Sequence, residues 1–147
     1  MSASLLANSG SYRITLFTHG RRALLTSGSP NGRPAPTAIG NAAITAWQTL
    51  VQSQSRLTAH ALYLLPSSIC MVVALQNGAD DPLALRLLYD SVRHFKEETT
   101  RRYNHGSTQD YHSRLWQASL DCKLIAIPNE SAALDQQMTA EGAYRAI

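Results

Sequence analysis

Residues His60–Leu75 read HALYLLPSSICMVVAL: two apolar runs broken by Pro66-Ser67. So few residues lie between the runs that no crossover fits, which makes the pair an antiparallel hairpin. On its second strand Ser68 and Cys70 stand at i and i+2, so they project to one face. Upstream, SYRITLFTH alternates Tyr12, Ile14 and Leu16 with Arg13, Thr15 and Phe17, the period of a half-buried first strand. The Gly/Pro/Ser/Asn-rich TSGSPNGRPAPT then reads as loop. Thr37 is placed to cap a helix whose stripe is Ile39, Ala42, Ala43, Ala46, Trp47, Leu50 and Val51, ending near Ser53–Ser55.

Downstream of the hairpin, NGADDP is a turn, with Asp81 as cap and Pro82 at the first helical position. Leu85, Leu88, Val92, Phe95 and Thr99 mark the inner face of that second helix. A polar loop, YNHGSTQDYHS, leads to a strand within LWQASLDCKLIAI and then to a C-terminal helix over SAALDQQMTAEGAYRA. The order β-α-β-β-α-β-α predicts an α/β (α+β) fold: a ferredoxin-like split βαβ sandwich, its antiparallel sheet covered by helices on one face. With no linker or repeat in 147 residues, one domain over 1–147 is expected.

Composition excludes several classes. No apolar run approaches the roughly 18 residues of a membrane helix. The N-terminus lacks the basic, apolar and small-residue order of a secretory signal, so a cytoplasmic protein is expected. Cys70 and Cys122 both fall in strand-like contexts and read as packed free thiols. The net charge of +3 permits a polyanionic partner. Its basic residues concentrate at Arg21 and Arg22, and at Arg93, Lys96, Arg101 and Arg102.

Four stretches, in order, resemble the single-tyrosine HUH transposases of small insertion sequences, especially the REP-associated tyrosine transposase branch. YRITLFTHGRRALL is similar to that family's first strand and Thr-x-Gly-Arg-Arg-like turn. HALYLLPSSIC matches its His-Ala-Tyr-Val-Leu-Met-Pro-Asn-His-Val-His without a gap. RHFKEETTRRYN resembles its Phe-Lys-x-x-Thr-x-Arg helix, and LWQASLDCKLI its Trp-Gln-x-x-Tyr-x-Asp-His strand. Together they cover most of residues 11 to 127.

The resemblance implies two strand histidines sharing a divalent cation, and a helix-borne tyrosine that attacks a DNA phosphate. This chain departs at each point. The histidine positions carry Ser68 and Cys70, and the Asn before them is Ser67. A neutral hydroxyl and a mostly protonated thiol are poor ligands for Mg²⁺ or Mn²⁺. His60, on the other strand, matches a histidine that is not a ligand. Counted from Trp116, the tyrosine position falls on Gln137 and its i+4 partner on Glu141; Tyr144 is reached only by an insertion.

No catalytic residue, cofactor or metal is therefore expected. The expectation is a catalytically inactive, regulatory protein that binds hairpin or single-stranded DNA, or RNA, through Arg21, Arg22, Arg93, Lys96, Arg101 and Arg102. For Lys96 and Arg101 a salt-bridged helix face with Glu97 and Glu98 is the competing reading. A protein-interaction module is the alternative, since the resemblance implies a homodimer surface. Such a module could hold a protein partner or an active relative. Residual strand-transfer chemistry, through Cys70 or a metal on Glu141, stands last.

Overall fold

The computed structural model describes residues 10–28, 33–76, 82–105, 114–125 and 129–147. Strand β1 spans Gly10–Phe17 and is followed by a short ribbon of β2, Thr26–Gly28, and β3, Pro34–Pro36. Helix α1 is Ala38–Gln52, the hairpin strands are β4, Leu57–Leu65, and β5, Ser68–Leu75, and α2 is Pro82–His105. Strand β6, Asp121–Ile125, helix α3, Asn129–Ala140, and strand β7, Tyr144–Arg145, complete the chain. Among the described residues no helix is long and apolar enough to cross a membrane.

The main sheet has the order β6-β1-β5-β4-β7 and every pairing in it is antiparallel. Without β7, this is the strand order of a split βαβ sandwich: the chain enters at β1, crosses by α1 to β4, and returns through the hairpin to lie between them. The alternation in β1 is as expected, with Tyr12, Ile14 and Leu16 buried and Arg13, Thr15 and Phe17 half-exposed. Those three, with Leu62, Leu64, Ile69, Met71, Val73 and Leu75, meet Trp47 of α1 and Phe95 of α2 in the main core. Trp47 and Phe95 pack edge to face at 5.7 Å, a geometry favoured by the aromatic quadrupole.

Both long helices begin where the sequence predicts. The Gly40 amide donates to Thr37 Oγ1 at 3.1 Å, closing the α1 cap. Gly40 is buried so tightly that a Cβ there would overlap the Leu25 carbonyl. Pro82 opens α2, while the proposed Asp81 cap lies outside the described residues.

Three features differ from expectation. Part of the Gly/Pro-rich loop pairs as the β2–β3 ribbon, with Thr26 opposite Pro36 and Gly28 opposite Pro34. Prolines are tolerated there because a two-stranded ribbon is all edge. Helices α1 and α2 share one face of the sheet as expected, but α3 lies on the other. Its Leu134 and Met138 pack on Ala61, Tyr63, Cys70 and Val72. Finally, α3 ends at Ala140 rather than running on through Tyr144. Gly142 takes a left-handed φ of 76°, which costs glycine little, and the chain turns into β7 beside β4.

Candidate nucleic-acid interface

The β4–β5 turn at Pro66-Ser67 is clamped by the segment after β1. Buried Thr18 donates its amide to the Ser67 carbonyl at 2.9 Å and its hydroxyl to the Arg22 carbonyl at 2.7 Å. The Leu24 and Leu25 amides both donate to the Pro66 carbonyl, and the His19 amide to that of Leu115. Within this clamp Gly20 and Arg21 are both left-handed, at φ 67° and 54°. The latter conformation is costly for a side chain with a Cβ, by about 1 kcal/mol, and holds only because the surrounding bonds fix it. The result is an exposed Arg21 whose guanidinium carbon sits 3.9 Å from the centre of the Phe17 ring. Phe17 is the register partner of Ser68, so this cation-on-ring platform stands beside Ser68.

Ser68 and Cys70 do share a face, as the i, i+2 spacing requires, together with Arg13 and Thr15 of β1. They are 7% and 1% exposed. Burial pushes the Cys70 thiol above its usual pKa, against the opposing influence of Arg13 and Thr15. A protonated thiol beneath Leu134 and Met138 and a buried neutral hydroxyl do not fit a hard divalent cation. Among the described residues no three His, Cys, Asp or Glu side chains gather closely enough to hold a metal ion. Cys122 is half-buried and points to the opposite face, in register with Ile14. His60 is exposed, the extra residue of a bulge between Ala59 and Ala61.

Helix α3 is fixed over this face by a polar latch. The Tyr63 hydroxyl donates to Asp135 Oδ1 at 2.8 Å, and Arg145 Nη1 donates to the same oxygen at 2.7 Å. Gln137 lines a groove of about 380 Å³ between α3 and the β1–β6 pair, with Arg13 and Lys123 on its wall. Glu141 is exposed beyond the helix end, and Tyr144 lies in β7 rather than in the helix.

The six predicted cations do not form one surface. Arg22 is a strap: its guanidinium donates to the His19 and Arg114 carbonyls and to the Tyr103 hydroxyl. Lys96 is half-buried, its ammonium donating to the Gln117 carbonyl at 2.9 Å and, at 3.4 Å, to those of Ala118 and Ser119. Arg101 and Arg102 both pair with Glu98, at 2.7 and 3.0 Å, and Arg93 pairs with Asp90. These surface pairs are worth little in stability and can exchange partners. Sequence reasoning passed over Arg13 and Lys123, which are register partners on the Cys70 face. The signal for Arg13 was the β1 alternation, which already set it opposite the apolar stripe.

Sheet order, two long helices on one face and a short helix across the other define the class: a mixed α/β antiparallel sandwich. Two solved structures, both transposases by description, are similar to it in fold. One is a REP-associated tyrosine transposase bound to a REP hairpin, with a TM-score of 0.58 and 14% identity over 88% of this chain and 64% of that one. The present chain therefore spans somewhat under two thirds of that protein's length. The other is a transposase-assigned protein of Deinococcus radiodurans R1, with a TM-score of 0.52 and 15% identity over 91% and 92% of the two chains. At such identities the likeness is one of fold. No family model matches the sequence, and no curated protein matches it at significance.

Proposed function

We propose that this protein binds hairpin or single-stranded nucleic acid on the clamp after β1 and along the β1–β6 side of the sheet that α3 leaves uncovered, at Arg13 and Lys123, without cutting it. The observation that carries the reading is the Arg21–Phe17 platform beside Ser68. It offers a charged plane and a ring edge to an unpaired base where a nuclease of this fold would need a cation. Arg13 and Lys123 add two cations on the same side of the sheet, with Asp121, opposite Thr15, between them and the platform. Phosphate contacts need no reactive group, so binding survives the loss of chemistry. The hairpin carried by the transposase neighbour supports the ligand class.

Titration of hairpin and single-stranded oligonucleotides at two salt concentrations tests this. Affinity is expected to fall steeply with salt, and Arg21→Ala to weaken it about tenfold. Absence of binding at low salt overturns the reading. A second reading, a protein-interaction surface, is favoured by one observation: Leu124 is 63% exposed on edge strand β6, and Tyr89 of α2 is 42% exposed beside Cys122. A stable dimer without nucleic-acid affinity would select it.

A further inference from the structure

Strand β6 ends the sheet on one side. Among the described residues it pairs with β1 alone, and the backbone groups on its far side face no strand. Its side chains are open as well: Asp121, Lys123 and Leu124 are all exposed, Leu124 by 63%. Register with β1 sorts them by face. Asp121 and Lys123, opposite Thr15 and Arg13, lie on the α3 side of the sheet. Cys122 and Leu124, opposite Ile14 and Tyr12, lie on the side of α1 and α2. There the exposed Tyr89 of α2 meets Cys122, and half-buried Leu120 packs against the main core. The edge therefore has a charged margin on one side and an apolar margin on the other.

The order of the charges says what fits this edge. An exposed lysine ordinarily keeps a second strand away. Two copies of one antiparallel edge pair about a two-fold axis normal to the sheet, which sets one residue opposite its own copy and fixes every other pair. Centred on Asp121 or on Lys123, such a pairing opposes like charges. Centred on Cys122, it sets Asp121 of each copy against Lys123 of the other, giving two opposite-charge pairs on the α3 side. In the same register exposed Leu124 meets Leu120 of the second copy on the other side. Charge and apolar complementarity thus coincide in a single register of the strand with itself.

We propose that β6 is the self-pairing edge of a homodimer, in which two copies join antiparallel about Cys122 and their five-stranded sheets become one. The inference is independent of the nucleic-acid reading. An antiparallel join keeps the faces in register, so both α3 helices lie on one side of the joined sheet and all four long helices on the other.

Sedimentation equilibrium of the full chain, without nucleic acid, tests it. The parent is expected to show a monomer–dimer equilibrium in the micromolar range, weak because so short a ribbon makes a small interface. Asp121→Lys and Lys123→Asp each turn both charge pairs into repulsions, and each is expected to weaken the dimer about tenfold. Both side chains are exposed, so melting temperatures should stay near the parent's. Combining the two substitutions in one chain restores the opposition and is expected to return the dissociation constant to within about threefold of the parent's. Mixing the two single variants sets two lysines against two aspartates, and is expected to give a mixed dimer that neither forms alone. Leu124→Ser is expected to weaken the parent dimer without changing its charge. A monomer at every concentration up to about 1 mM overturns the proposal. So does a dimer indifferent to both single reversals, or one that neither the double reversal nor the mixture restores, since another surface would then hold the copies together.

Discussion

Thr18 shows how much of the candidate surface hangs on single atoms. Its hydroxyl satisfies the Arg22 carbonyl, and its amide joins the turn to the hairpin. Thr18→Val keeps the shape and removes the donor, so it is expected to cost about 1–2 kcal/mol. Chemical denaturation measures that loss, and oligonucleotide affinity should fall with it as the Arg21 backbone is freed. Arg21→Ala is expected to lower affinity with an unchanged melting temperature, which separates the two roles. Gly40→Ala tests packing alone: overlap with the Leu25 carbonyl should destabilise the fold by about 1–3 kcal/mol. At this scale the sequence was unevenly informative. The Thr37 cap follows from local chemistry and was legible. Lys96 was not: Glu97 and Glu98 are its neighbours in sequence, yet its ammonium reaches carbonyls more than twenty residues away. Helical spacing says which residues share a face, not which backbone will pass in front of it.

Of the three α-helices, α3 is the least anchored by apolar contact, with only Leu134 and Met138 buried. Leu134→Ala is expected to cost about 2–4 kcal/mol and to expose Cys70, so that a thiol reagent labels it much faster than in the parent. The half-buried Cys122 serves as internal reference. Unchanged Cys70 labelling would show that the helix does not shield it. The polar latch adds an alkaline dependence. The Tyr63 phenol is pushed up to about 12, chiefly by burial and then by its bond to Asp135. Above the ordinary tyrosine pKa near 10 the unfolded chain loses this proton while the folded chain keeps it. Stability is therefore full below pH 10 and falls as the pH rises from about 10 to 12, by about 2–3 kcal/mol. Tyr63→Phe should flatten that part of the curve relative to the parent. The sequence placed a helix here but not its end, nor the face it covers. Two buried residues give too faint a stripe, and the stop at Gly142 depends on β4 offering an edge for Tyr144 and Arg145 to join.

For the molecule as a whole, the sheet was legible because its determinants are periodic. Alternation in β1 and two apolar runs across a two-residue turn leave little freedom in how β1, β4, β5 and β6 can be ordered. The candidate surface was legible only in part, since its cations come from strands, a turn and a helix that meet only in three dimensions. One experiment addresses the whole. Labelled hairpin DNA incubated with Mn²⁺ is expected to yield no covalent protein adduct on a denaturing gel, and an adduct would mean that a nucleophile has been overlooked.

The packing of Cys70 also limits what can replace it. An imidazole placed at that position would have to enter space filled by Leu134 and Met138, an overcrowding that costs about 1–3 kcal/mol. A bulkier side chain at this position therefore asks for movement of the overlying helix first, so substitutions on the exposed clamp are tolerated more readily than substitutions beneath α3.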